Sequence, residues 1–182
     1  MLIRNFGHLW ERRYVFWGHG GVKGHLRGYR TPTDGGADFR TQIGIYILFD
    51  KNYVPVYVGQ TGKGNQRLFA RLRQHQRDHL WNRWEYFSWF GFRRVNPGSG
   101  NLSEFDHPEK VFKAAGASLL NEIEGALLVA LEPRINKQGP RWSDVDEYFQ
   151  VVEGELEERS VSEALKKIES LQKSIDQLKV KK

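Results

Sequence analysis

Cysteine is absent from all 182 residues, which excludes a disulfide framework and a thiolate-held zinc site. No run of about eighteen apolar residues occurs, so no stretch has the length of a membrane-spanning helix. The N-terminus shows no basic stretch leading into an apolar core, the mark of a signal peptide. Together these absences predict a cytoplasmic protein without a membrane partner. No internal repeat of solenoid length is visible. The glycines of Trp17-Gly18-His19-Gly20-Gly21-Val22-Lys23-Gly24 lack the spacing of a phosphate loop followed by a helix, which argues against a nucleotide site. Acid is scarce in the first hundred residues, which hold six Asp/Glu against sixteen Lys/Arg.

What is present is a globular composition with 39% hydrophobic residues and six tryptophans, enough for a real core. The net charge is +6, and all of the excess lies in the first hundred residues; the remainder carries twelve Lys/Arg against sixteen Asp/Glu. A basic body interleaved with aromatics suits a polyanion, most simply DNA. The chain divides into a basic, Gly-rich N-terminal arm over 1–40, a central domain over 41–139 and a C-terminal helical extension over 140–182. The arm reads equally as a basic segment against phosphates or as a solvated loop or a strand packed on the core.

Ile43, Ile45, Ile47 and Phe49 alternate with Gly44, Tyr46 and Leu48, the period of a strand. A second strand runs over 53–59, and Pro55 places it at an edge. A loop in which Phe49 opposes Val54 sets Tyr46 opposite Tyr57, with Cβ atoms about 4.5–5.5 Å apart. A helix is expected over 66–80, and an aromatic strand over 84–93 whose rings chiefly fill the core, with stacking on the bases of an opened strand as the lesser reading. Another helix over 118–131 stops before Pro133. A further helical stretch begins at Arg141 with Ser143 as its N-cap. Val161, Ala164, Ile168, Leu171, Ile175 and Leu178 follow a 3-4 spacing, a heptad seam that predicts a pairing helix, through a homodimer or back on the domain.

Several side chains carry chemistry. Glu124 falls among Leu120, Leu127 and Leu128 on a helix wheel, whereas Glu122 points elsewhere. A carboxylate on an apolar stripe is costly unless paired or bound to a cation, and one glutamate suits Mg²⁺, which keeps most of its waters. Arg71 offers a planar fork for phosphate oxygens. His75, one turn on, can shuttle a proton. Tyr46 and Tyr57 are phenols that a metal, arginine or histidine could help ionise. Asn136, past the Pro133 break, is a candidate for orienting a backbone group or touching DNA. Gly59, Gln60, Lys63 and Arg67, in and beside the loop after the second strand, are candidate nucleic-acid contacts.

Gly44-Ile45-Tyr46, Tyr57-Val58-Gly59, Arg71-x-x-x-His75 and Glu124, with Pro133 and Asn136 nine and twelve residues beyond it, together resemble the GIY-YIG nuclease superfamily over about 41–139. The resemblance implies an α+β fold: a small three-stranded antiparallel sheet flanked by helices, here followed by a C-terminal coiled-coil-like helix. It implies a divalent metal, Mg²⁺ or Mn²⁺, held by Glu124, and hydrolysis of DNA, with double-stranded DNA as the partner. Arg71 would hold the phosphate, one of Tyr46 and Tyr57 would activate water, with a lean to Tyr46, His75 would help move the proton, and Asn136 would position the site. Arg67 is the alternative to Arg71, because the loop before them is longer than the family's. A restriction or mobile-element enzyme is the expected context. A nucleic-acid-binding module without turnover and a structure-specific RNA nuclease are the rival readings.

Overall fold

The structure, a computed structural model, describes residues 2–31, 35–62, 66–104, 118–132, 138–142, 144–152 and 168. Its strands are β1 (Asn5–Glu11), β2 (Arg27–Tyr29), β3 (Ala37–Asp38), β4 (Gly44–Phe49), β5 (Pro55–Gln60), β6 (Tyr86–Gly91), β7 (Asp146–Glu147) and β8 (Phe149–Gln150). The α-helices among the described residues are α1 (Leu68–Gln74) and α2 (Ser118–Leu131). The main sheet has five strands in the order β5-β4-β6-β1-β7, antiparallel except for the parallel β1–β7 pair, and β3-β2-β8 form a second sheet of three.

This corrects the expected three-stranded sheet flanked by helices: the fold is a sheet-rich α+β arrangement. The N-terminal segment is a strand, and β1 lies between β6 and β7. Its two-residue period is broken where the register shifts between Gly7 and Trp10, with Leu9 at φ 47°. A bulge of this kind re-aims side chains and hides the alternation by which a strand is read. The residues after Arg141 form the short strands β7 and β8 rather than a helix; between them Tyr148 is buried and its carbonyl accepts from Trp10 Nε1 at 2.9 Å. Ser143 and the heptad seam, apart from the exposed Ile168, lie outside the described residues.

Two cores sit on the two faces of the main sheet. Tyr46, Leu48, Phe87 and Trp89 pack with Trp10, Leu26, Phe39, Leu68, Leu72 and Trp84 on one side. Ile47, Phe49, Phe90, Phe6 and Ile3 pack with Ala126, Val129 and Ala130 of α2 on the other. The aromatic strand therefore supplies core, since Trp84, Phe87, Trp89 and Phe90 are all buried. Gly44 fixes the start of β4: its φ is +150°, and a Cβ there would run into the Phe90 carbonyl on the neighbouring strand.

The β4–β5 hairpin differs from the expected register by two residues. Asp50 Oδ1 accepts from the amides of Asn52 and Val54, at 2.8 and 2.9 Å, and Asp50 N donates to the Val54 carbonyl. Phe49 then pairs with Pro55, a bulge follows, and Leu48 pairs with Tyr57 while Tyr46 pairs with Gly59. A shift of two keeps each side chain on its face, so Tyr46 and Tyr57 stay together, but diagonally.

Candidate functional site

Four of the expected residues converge on one face of the β4–β5 hairpin. Tyr46 projects from β4 and Tyr57 from β5, with ring centroids 6.1 Å apart. The Tyr46 ring passes over Gly59, where a Cβ would overlap its Cζ and Oη. Gly59 is thus a packing glycine that makes room for the phenol, and it is buried. Helix α1 supplies the other two. Its apolar Leu68 and Leu72 are buried against the sheet, which turns Arg71 and His75 toward the tyrosines. The helix stops earlier than expected, at Gln74, with His75 as its C-cap and the His75 amide still donating to the Arg71 carbonyl at 3.2 Å.

The contacts form a chain. His75 Nε2 lies 2.8 Å from Tyr46 Oη, and His75 Nδ1 lies 2.6 Å from Asp78 Oδ2. The His75 ring also meets the Tyr57 ring edge to face at 4.9 Å. Arg71 donates from Nη2 to Tyr57 Oη at 3.4 Å and from Nη1 to Gln74 Oε1 at 2.6 Å. Its Nε is buried and has no hydrogen-bond partner among the described residues. A guanidinium with an unused donor is suited to an anionic oxygen. Tyr46 and His75 are buried, whereas Tyr57, Arg71 and Asp78 are half-buried. The solvent side of the cluster is therefore Tyr57 and Arg71.

Electrostatics separates the groups. Burial pushes the Tyr46 phenol up to about 12; the Arg71 charge pulls against this and Tyr57 adds to it. Burial opposes the Arg71 charge, but the two phenols outweigh it and raise the guanidinium above its ordinary value. Burial also pushes Asp78 up, but hydrogen bonds from His75 and the Leu80 amide outweigh it and hold the carboxyl below its ordinary value. Around the cluster, α1 and the turn after it expose Arg73 and Arg77, with Arg67 half-buried at the N-cap of α1. Gln60 is exposed at the end of β5, and Lys63 lies outside the described residues.

Glu124 is not brought to this cluster. Among the described side chains of α2 the covered ones are Glu122, Gly125 and Ala130, with Ala126 and Val129 packed beside them on the opposite face of the sheet, and Glu124 is exposed on the far side of the helix. The buried acid is Glu122, 1% exposed, whose Oε2 accepts from the Leu2 and Ile3 amides at 2.6 and 2.7 Å. The leucine stripe of the helix wheel is not the inward one, since Leu127 and Leu131 are exposed. Small residues face the sheet instead, and Gly125 lies so close to Trp142 that a Cβ there would overlap the indole. Ile123, Leu127 and Leu131 are left exposed and line, with Ile45 and Val58, an apolar cleft of about 340 Å³. Asn136 lies outside the described residues.

The single glutamate of the implied metal site is therefore not brought to the tyrosines. Glu124 faces away from the tyrosines, and no cluster of three His, Asp or Glu occurs among the described residues. Sequence reasoning also missed Asp78 and Gln74. Both stand three residues beyond a partner they touch, His75 and Arg71, and that spacing along a helical turn was the available signal. Comparisons with protein-family models, curated proteins and solved structures return no match, so the GIY-YIG likeness rests on the quoted residues alone.

Proposed function

We propose that this chain hydrolyses phosphodiester bonds of DNA at the Tyr46–Tyr57–Arg71–His75 cluster. The observation that carries the reading is the 2.8 Å contact between Tyr46 Oη and His75 Nε2, set beside an arginine whose Nε is unused. Arg71, at the solvent side, takes the scissile phosphate and offsets charge gathering on its oxygens. A buried phenol near 12 is a poor base by itself at neutral pH. Next to an imidazole it acts as a relay: water gives its proton to Tyr46 Oη as Tyr46 gives its own to His75 Nε2, no isolated phenolate is formed, and the water oxygen bonds to phosphorus as the P–O bond to one sugar oxygen breaks, that oxygen taking a proton from solvent. Tyr46 is fully covered, so the step requires Tyr57 and Arg71 to be drawn outward by the bound phosphate. No step is assigned to a metal, because Glu124 as placed does not reach the cluster.

A second reading is favoured by that same burial and by the orientation of Glu124: a module that binds nucleic acid through Arg67, Arg71, Arg73 and Arg77 without cutting it. Supercoiled plasmid and a structured RNA, each incubated with the protein in Mg²⁺, in Mn²⁺ and in chelator, separate the readings. Nicking or linearisation of the plasmid by the parent, lost in His75→Ala and Arg71→Ala, is the expected result. Binding without cleavage in every condition establishes the module, and cleavage of the RNA alone moves the substrate class. Glu124→Ala cutting like the parent is what the placement of α2 predicts. Loss of cutting in that variant with DNA binding retained would assign the ion to Glu124 and require α2 to present its other side in the complex.

A further inference from the structure

We infer that Asp78 is a positioning residue that fixes the tautomer of His75, so that Nε2 is the bare nitrogen facing Tyr46. The inference rests on the proposed site but concerns a contact that can be measured without turnover.

The argument is one of donors and acceptors. An ionised carboxylate only accepts, so the 2.6 Å contact between Asp78 Oδ2 and His75 Nδ1 places the ring proton on Nδ1. A neutral imidazole has one N–H, which leaves Nε2 as an acceptor. Its neighbour at 2.8 Å is the Tyr46 hydroxyl, which must then donate. The opposite tautomer would set the ring's lone pair on Nδ1 against carboxylate oxygen and leave Tyr46 to accept. The carboxylate is itself held in place: its other oxygen, Oδ1, accepts from the Leu80 amide at 2.8 Å, and the helix has already ended at Gln74, so the 75–80 segment can fold back over His75. His75 is 3% exposed, so solvent offers little alternative partner for the ring. A carboxylate, an imidazole and a hydroxyl in this order form a proton relay whose direction is set by the acid. Here the acid points the relay from phenol to imidazole.

Asp78→Asn is the informative substitution. The amide oxygen of asparagine can keep the Leu80 amide, which turns its NH₂ toward His75 Nδ1. That donor requires a bare Nδ1 and drives the proton to Nε2, the wrong nitrogen for accepting from Tyr46. The test is ¹⁵N NMR of the imidazole nitrogens in the full chain at mildly alkaline pH, with the His75 signals identified by their absence in His75→Gln. The expected result is a protonated Nδ1 and a pyridine-type Nε2 in the parent, exchanged in Asp78→Asn, with plasmid nicking reduced about a hundredfold or more. A parent whose proton sits on Nε2 overturns the inference, and this measurement needs no variant at Asp78. A folded Asp78→Asn that keeps the parent tautomer overturns it as well. An exchanged tautomer in a protein whose parent cuts no DNA upholds the role of Asp78 and removes the hydrolytic reading instead.

Discussion

Tyr46 sits in an environment far from that of a free side chain in water. Burial lifts its phenol to about 12, against an ordinary tyrosine near ~10. A folded value above the unfolded one means that the unfolded chain loses its proton first. The contribution to stability is therefore whole below about 10 and is lost as pH rises from there through about 12. In a phenolate absorbance titration, Tyr46 should ionise last among the seven tyrosines, and Tyr46→Phe should remove that late step. Ionisation of all seven below pH ~11 would show that the ring is not buried as described. The two acids of α2 offer a second contrast. Glu122→Ala strands two backbone amides that a buried carboxylate now satisfies, at a cost of about 3 kcal/mol. Glu124→Ala alters an exposed side chain and should stay within about 0.5 kcal/mol of the parent. Urea unfolding of both variants checks the order, and equal losses would mean that α2 is turned differently.

At the scale of elements, β4 was legible because its alternation is unbroken from Ile43 to Phe49, and the short loop between Phe49 and Val54 marked the hairpin. The register was not, since it depends on Asp50 Oδ1 gathering the Asn52 and Val54 amides and on the bulge that follows. Neither leaves a hydrophobic signature. Strand β1 was legible only as one of the readings of the N-terminal segment, because the register shift between Gly7 and Trp10 breaks its period, and β7 and β8, at two residues each, are too short to have one. Helix α2 showed its extent but not its orientation. Hydrophobicity selects the leucine side, while close approach to the sheet and Trp142 selects the side of Gly125, Ala126 and Ala130. The Tyr46, Tyr57, Arg71 and His75 constellation was readable from spacing, because the two-residue error in register preserves the face. Asp78 carried only its three-residue spacing from His75, a weak signal, and the contact itself forms in the turn after α1 ends at Gln74.

For the molecule as a whole, charge and topology point the same way. The N-terminal segment is a strand inside the main sheet, between β6 and β7, so it belongs to the body of the protein, and the basic residues of the first hundred lie outside the strands of that sheet. Arg67, Arg71, Arg73 and Arg77 lie on and beside α1, the helix that brings Arg71 to the tyrosine cluster. DNA affinity should therefore fall steeply with salt, and Arg73→Ala should weaken binding to all sequences alike while lowering the salt slope by about one phosphate contact. A slope unchanged by that substitution would place the DNA elsewhere. The most direct measurement is single-turnover conversion of supercoiled plasmid to nicked circle by the parent and by His75→Ala, with DNA binding measured in parallel. Conversion by the parent, with His75→Ala slowed about a hundredfold or more at undiminished binding, is expected of a tyrosine–histidine relay that moves the proton; equal conversion by the two proteins, or none by the parent, would contradict it.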